Sequence, residues 1–306
     1  MRLDDEDESS NIVDRRGSGS SGGGGGSGGG FRLPIGGGRL GIGGMVVVGV
    51  IALLLGQNPL ELIGAVNGVQ VGGGSIGQPQ SGPQPETSAP AAALDGAHDK
   101  FIARVLGTTE RTWGRLFPEQ FGQPYPPPKL NLFTGQVDSG CGPADSGMGP
   151  FYCPADRQVY LDSAFFDDLS QRFGAPGDFA AAYVVAHEVG HHIQTVVGIS
   201  DEVQQARRSA SSAKGNALSV RQELQADCLA GVWAHHNQGL LEPGDIEEGL
   251  RAAQAIGDDR LQQQAGGRVS PESFTHGTSA QRMRWLQRGL ESGLSSSCDT
   301  FSARTL

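Results

Sequence analysis

From Asp178 onward, helical patterns follow one another with short breaks. FAAAYVVAHEVGHHIQTVV has the length of a helix and is apolar on nearly every side, so it reads as a buried one. Asp178 is placed to cap its start and Gly198 to end it. Ser219 with Gln222 forms a capping-box pattern ahead of another helix, which runs to about Asn237. Pro243 opens a further helix over roughly Asp245 to Gln264, and Ser279 caps a last one through Leu290. Upstream, His98 to Leu116 predicts a first helix with Phe101, Val105 and Leu106 on one side. YPPPK then stops any helix. Leu130, Leu132 and Val137 suggest a strand, and QVYLDSAFF a second strand running into a short helix. The predicted class is α+β: a mostly helical domain with a small β-sheet over residues 97–306.

The first hundred residues carry another pattern. They hold 26 of the chain's 49 glycines, so most of this region lacks the apolar surface for a core. Residues 1–39 are acidic at the start, then Gly/Ser-rich, and are expected to be disordered. From Leu40 to Leu55 no side chain is charged or strongly polar. Sixteen helical residues reach ~24 Å, a little short of the ~30 Å hydrocarbon core, and the flanking glycines can lengthen the span. Residues 40–56 therefore read as a single membrane-spanning helix, with a signal peptide or a buried core helix as the alternatives. Arg15, Arg16, Arg32 and Arg39 precede the run, and no Lys or Arg follows before Lys100. The positive-inside rule then places the N-terminus in the cytoplasm and the folded domain outside the plasma membrane, in contact with lipid through one span. Residues 57–96, rich in Pro and Gly, form the tether. The balance of 23 basic against 33 acidic residues speaks against a nucleic-acid partner.

The chemistry concentrates in His187-Glu188-Val189-Gly190-His191. On a helix, positions i and i+4 share a face, so both imidazoles can reach one ion, and Glu188 lies beside that face. A catalytic zinc takes three protein ligands and keeps one position open. Glu223, on the next helix, is the candidate third ligand. Asp227, one turn on, can accept the free N–H of a ligand histidine. A metal also answers the cost of burying two histidines and a glutamate on an apolar helix. His192 points off the ligand face, and His235 and His236 fit C-terminal capping. Four cysteines allow three pairings. In an oxidising setting the favoured bonds are Cys141–Cys153, closing a glycine-rich loop, and Cys228–Cys298, tying the C-terminal tail to the ligand helix.

HEVGHH, RQELQADCLAG and FTHGTSAQR, in this order behind an apolar run and a glycine-rich linker, resemble the bacterial membrane-anchored neutral zinc metallopeptidases. The opening SSNIVDRRG is similar to that family's N-terminus as well. More distantly, the His-x3-His and Glu-x3-Asp pairs resemble those of the gluzincin peptidases. The resemblance implies a zincin-like fold, one Zn²⁺ on His187, His191 and Glu223, and support of a zinc histidine by Asp227. It implies hydrolysis of a peptide or protein substrate by a metal-activated water, with Glu188 as general base. His276 matches a downstream histidine that in some relatives stabilises the oxyanion. The strand at Gln158 to Leu161 is a candidate edge for an extended substrate. Two other readings stay open: an anchored, non-enzymatic metal module, and zinc hydrolysis of a non-peptide bond.

Overall fold

The computed structural model describes residues 1–16 and 96–306. Strand β1 (Ile12–Asp14) is followed by helix α1 (Ala97–Phe121) and strands β2 (Lys129–Phe133), β3 (Gln136–Ser139), β4 (Gly142–Asp145), β5 (Phe151–Cys153) and β6 (Gln158–Asp162). Helices α2 (Ala164–Gln171), α3 (Asp178–Val196), α4 (Ile199–Arg208), α5 (Ser212–His236), α6 (Asp245–Ala255), α7 (Asp258–Gln264) and α8 (Ser279–Ser292) complete the chain. The class is α+β, mostly helical. One four-stranded sheet has the order β1-β2-β6-β5, parallel except where β5 runs against β6. β3 and β4 form a separate antiparallel hairpin, which takes Val137 out of the strand at Leu130 and Leu132.

The apolar positions of α3 and α5 meet those of α1, α6 and α8 in one core around the fully buried Trp113, Trp233 and Trp285. Two close helix contacts set the geometry of the site. Gly190 lies against Ala226, where an added Cβ would stand 3.0 Å from the Ala226 Cα and O, so α3 can cross close to α5 at the level of the histidines. Gly231 and Gly289 do the same between α5 and α8, where a side chain on either would collide with the other helix's backbone. The Cys228–Cys298 bond joins α5 to the tail, and Cys141–Cys153 links β5 to the β3–β4 hairpin.

Several local expectations are corrected. Residues 1–16 of the stretch 1–39 expected to be disordered are docked in the fold: Met1, Leu3 and Ile12 are buried in the core and β1 is an edge of the sheet. Asp178 is the first residue of α3 with no capping bond of its own; it accepts the Met1 ammonium at 2.5 Å instead. Ser219 lies inside α5, where its hydroxyl donates to the Gly215 carbonyl, so no helix starts there. The capping box of the last helix is Thr278 with Gln281, one residue before Ser279. The helix expected over Asp245 to Gln264 breaks at Ile256 and Gly257 into α6 and α7. At Gly257 a side chain would run into the Ser279 backbone. No helix among the described residues is long and apolar enough to cross a membrane, and the run at 40–56 lies outside them.

Candidate metal centre

Helix α3 presents His187 and His191 one turn apart, and α5 presents Glu223 across from them. The His191 Nε2 lies 3.1 Å from the His187 Nε2 and 3.4 Å from the Glu223 Oε1, and the His187 Nε2 lies 3.2 Å from the Glu223 Oε2. Donors on a tetrahedral zinc with bonds of ~2.0–2.1 Å stand about 3.3 Å apart, so this triangle has the dimensions of one zinc ion's coordination face. Among the described residues, no further His, Cys, Asp or Glu donor joins the group.

Both ring nitrogens that point away from the triangle are held. The His187 Nδ1–H donates to the Asp227 Oδ1 at 2.8 Å, and the His191 Nδ1–H to the Gln194 Oε1 at 2.9 Å. These bonds fix the tautomer that frees each Nε2 for a metal. Gln194 is anchored in turn by its Nε2, which donates to the Gln222 carbonyl at 2.7 Å and to the Gln225 Oε1 at 3.0 Å. Asp227 is wholly buried and accepts two bonds at 2.9 Å from the Arg282 guanidinium, and one from the Tyr183 hydroxyl at 2.5 Å. Burial alone would raise its carboxyl, but the charge of Arg282, then that of His187, holds it down to about 2. Tyr183 and Gln194 were legible in principle, standing four residues before His187 and three after His191 on the same helix. Arg282 sits on another helix, and no spacing rule leads to it.

The charges of the three donors act on one another. Burial pushes the His191 ring down, but the Glu223 carboxylate outweighs it and lifts the ring to about 9. His187 is raised likewise by Asp227 against its burial, and Glu223 is held well below the usual carboxylate range by His191 and its other partners against its burial. A metal must displace what the rings hold. Zinc binding at pH 7 should therefore release about one proton or more, and apparent affinity should fall as pH falls further below about 9. Titration calorimetry in buffers of different ionisation enthalpy reads this directly; the absence of proton release would mean that the rings are not the ligands.

Glu188 is buried beside the triangle, and burial raises its carboxyl, partly offset by His187 and His191. His276 lies in the loop before α8, partly exposed. The Asp258 carboxylate accepts backbone N–H bonds from Thr275, His276 and Gly277 at 2.7, 2.7 and 3.0 Å, which ties that loop to α7. Burial lowers the His276 ring, while the charges of Glu223 and Asp258 raise it more. No hydrogen bond among the described residues joins it to the triangle.

His192 stays out of the group. Its Nε2–H donates to the Pro126 carbonyl at 2.6 Å, its Nδ1 meets the Tyr152 hydroxyl at 3.2 Å, and burial holds the ring at about 4, hence neutral. His235 and His236 bond the carbonyls of Leu290 and Gly293 at the end of α8 rather than of their own helix. The strand at Gln158 to Leu161 is not an edge: β6 is paired on both sides, by β2 and β5. The edge strand on the side of α3 is β5, whose Tyr152 touches His192.

A sequence family described as "Putative neutral zinc metallopeptidase" matches residues 1–301. YpfJ of Escherichia coli K12, itself described as uncharacterised, is 50% identical over 303 residues, covering 98% of this chain and 99% of its own length. An uncharacterised protein of Mycobacterium tuberculosis strain H37Rv is 44% identical over 225 residues, covering 68% of this chain and 73% of its own. No solved structure matches. A match over nearly the full length, carried by the chain that folds His187, His191 and Glu223 together, makes the protein a member of the neutral zinc metallopeptidase family.

Proposed function

We propose that the protein is a zinc peptidase that hydrolyses peptide bonds with Glu188 as general base. The observation that carries this reading is the donor triangle of His187, His191 and Glu223, sized for one zinc and with no fourth side-chain ligand among the described residues. Three protein ligands are the mark of a catalytic zinc, whereas structural sites are closed by four. Zinc held there supplies a Lewis acid for a carbonyl and brings the pKa of water toward about 7. Glu188 takes the proton of the attacking water and returns it to the leaving nitrogen. Its raised carboxyl suits both halves of that task. Asp227 and Gln194 keep the rings oriented throughout. His276, held by Asp258, is the group we place at the developing oxyanion. The same reading takes a peptide or protein as substrate and attaches the chain to lipid through residues 40–56.

The test is a cleavage profile over a peptide library with the full chain. Internal peptide bonds should be cut, cutting should stop on chelation, and added zinc should restore it. Zinc-loaded protein that leaves every peptide intact while opening cell-wall amides would move the reaction to a non-peptide bond.

A further inference from the structure

The first sixteen residues are built into the fold that carries the metal site. β1 pairs with β2 at three register positions, Ile12 with Leu130, Val13 with Asn131 and Asp14 with Leu132. The ladder extends through the Leu130 N–H to the Asn11 carbonyl at 2.9 Å and the Arg15 N–H to the Leu132 carbonyl at 2.8 Å. The Arg16 guanidinium bridges Asp14 and the buried Asp99 of α1. At the other end, the enclosed Met1 ammonium reaches Asp178 at 2.5 Å and Asp245 at 3.2 Å. Asp178 opens the helix that presents His187 and His191. The family match also begins at residue 1, so this segment belongs to the shared unit.

We infer that residues 1–16 and residues 97–306 occupy the same compartment, so the apolar run at 40–56 does not separate them by a single membrane crossing. One crossing puts the two flanks of a span on opposite faces. Strands held on opposite faces of a hydrocarbon core ~30 Å thick cannot come within the ~4.8 Å at which a β-ladder forms. Exchange of β1 between two copies does not avoid this, because the donated strand must still lie on the face where the sheet is. The arginine count that oriented a single span weakens for the same reason. Two of its four residues are engaged in the fold: Arg16 in its carboxylate bridge, and Arg15 bonding the Asp138 carbonyl and lying over the Tyr160 ring. Both disulfides favour an oxidising setting for whichever face that is.

The experiment adds one cysteine to the full chain at an exposed position, Asp4→Cys in one variant and Arg304→Cys in another. The four native cysteines are bonded, so the unaltered chain is the unlabelled control. Spheroplasts of cells expressing each variant are treated with a membrane-impermeant maleimide, before and after lysis. The two variants should label alike, and before lysis. Labelling of both only after lysis also supports the shared side, and moves it to the cytoplasm. Labelling of Arg304→Cys before lysis while Asp4→Cys reacts only after it overturns the inference. Neither arm depends on hydrolysis, so the result stands apart from the fate of the peptidase reading.

Discussion

Glu188→Gln should keep the metal centre and lower peptide hydrolysis by about 10²–10⁴-fold, the range that a positioned general base contributes. Glutamine has nearly the same shape, so the packing of α3 is preserved, and none of the three donor atoms is altered. It cannot take up a proton at neutral pH. The loss should therefore fall on kcat, with KM little changed. Zinc content measured on the same sample separates the two roles. A variant that holds zinc and cleaves at the wild-type rate would remove Glu188 from the chemistry, and one that loses zinc would make it part of the metal's support instead.

The second large effect is expected at Arg282. Its guanidinium and Asp227 form a fully buried pair with two parallel bonds of 2.9 Å, and the same carboxylate holds the His187 ring. Removing one partner of such a pair leaves an uncompensated charge in the core, which typically costs about 3–5 kcal/mol. Arg282→Met should lower stability by that order in chelated protein. Asp227 has a depressed carboxyl, so its contribution is whole above the unfolded value of 3.8 and is lost only as pH falls through about 2. The deficit of the variant should accordingly be present at neutral pH. Zinc affinity should fall as well, by about 10–100-fold, because the support of a ligand histidine is disturbed. Arg282→Lys keeps the charge without the fork and should recover only part of the loss. Denaturant melts and zinc competition read both effects. Wild-type values in Arg282→Met would mean that the pair is without consequence for the site.

What the chain discloses about this site follows the reach of each rule. His187, Glu188 and His191 are legible because helical spacing is local, and Glu223 with Asp227 for the same reason. That the two pairs meet depends on Gly190 against Ala226, a contact between helices that no spacing within one helix encodes. Ser219 with Gln222 misleads because the same four-residue pattern can lie inside a helix, where the serine bonds backward to Gly215. The place of β6 between two partners is a property of strand order, set by residues far apart in the chain. The N-terminal segment is hidden by its company. The acidic run DDEDE and the glycine linker that follows dominate the average, while Met1, Leu3 and Ile12 supply the few apolar contacts that dock it.

The centre requires one cation shared by two helices, and zinc analysis of the full chain beside Glu223→Ala tests this most directly. The wild-type chain should carry one zinc, and the variant, keeping both histidines but losing the carboxylate that completes the triangle, should carry almost none after dialysis against a mild chelator. Equal zinc in the two, with the fold of the variant intact by circular dichroism, would place the metal elsewhere and contradict the centre described above.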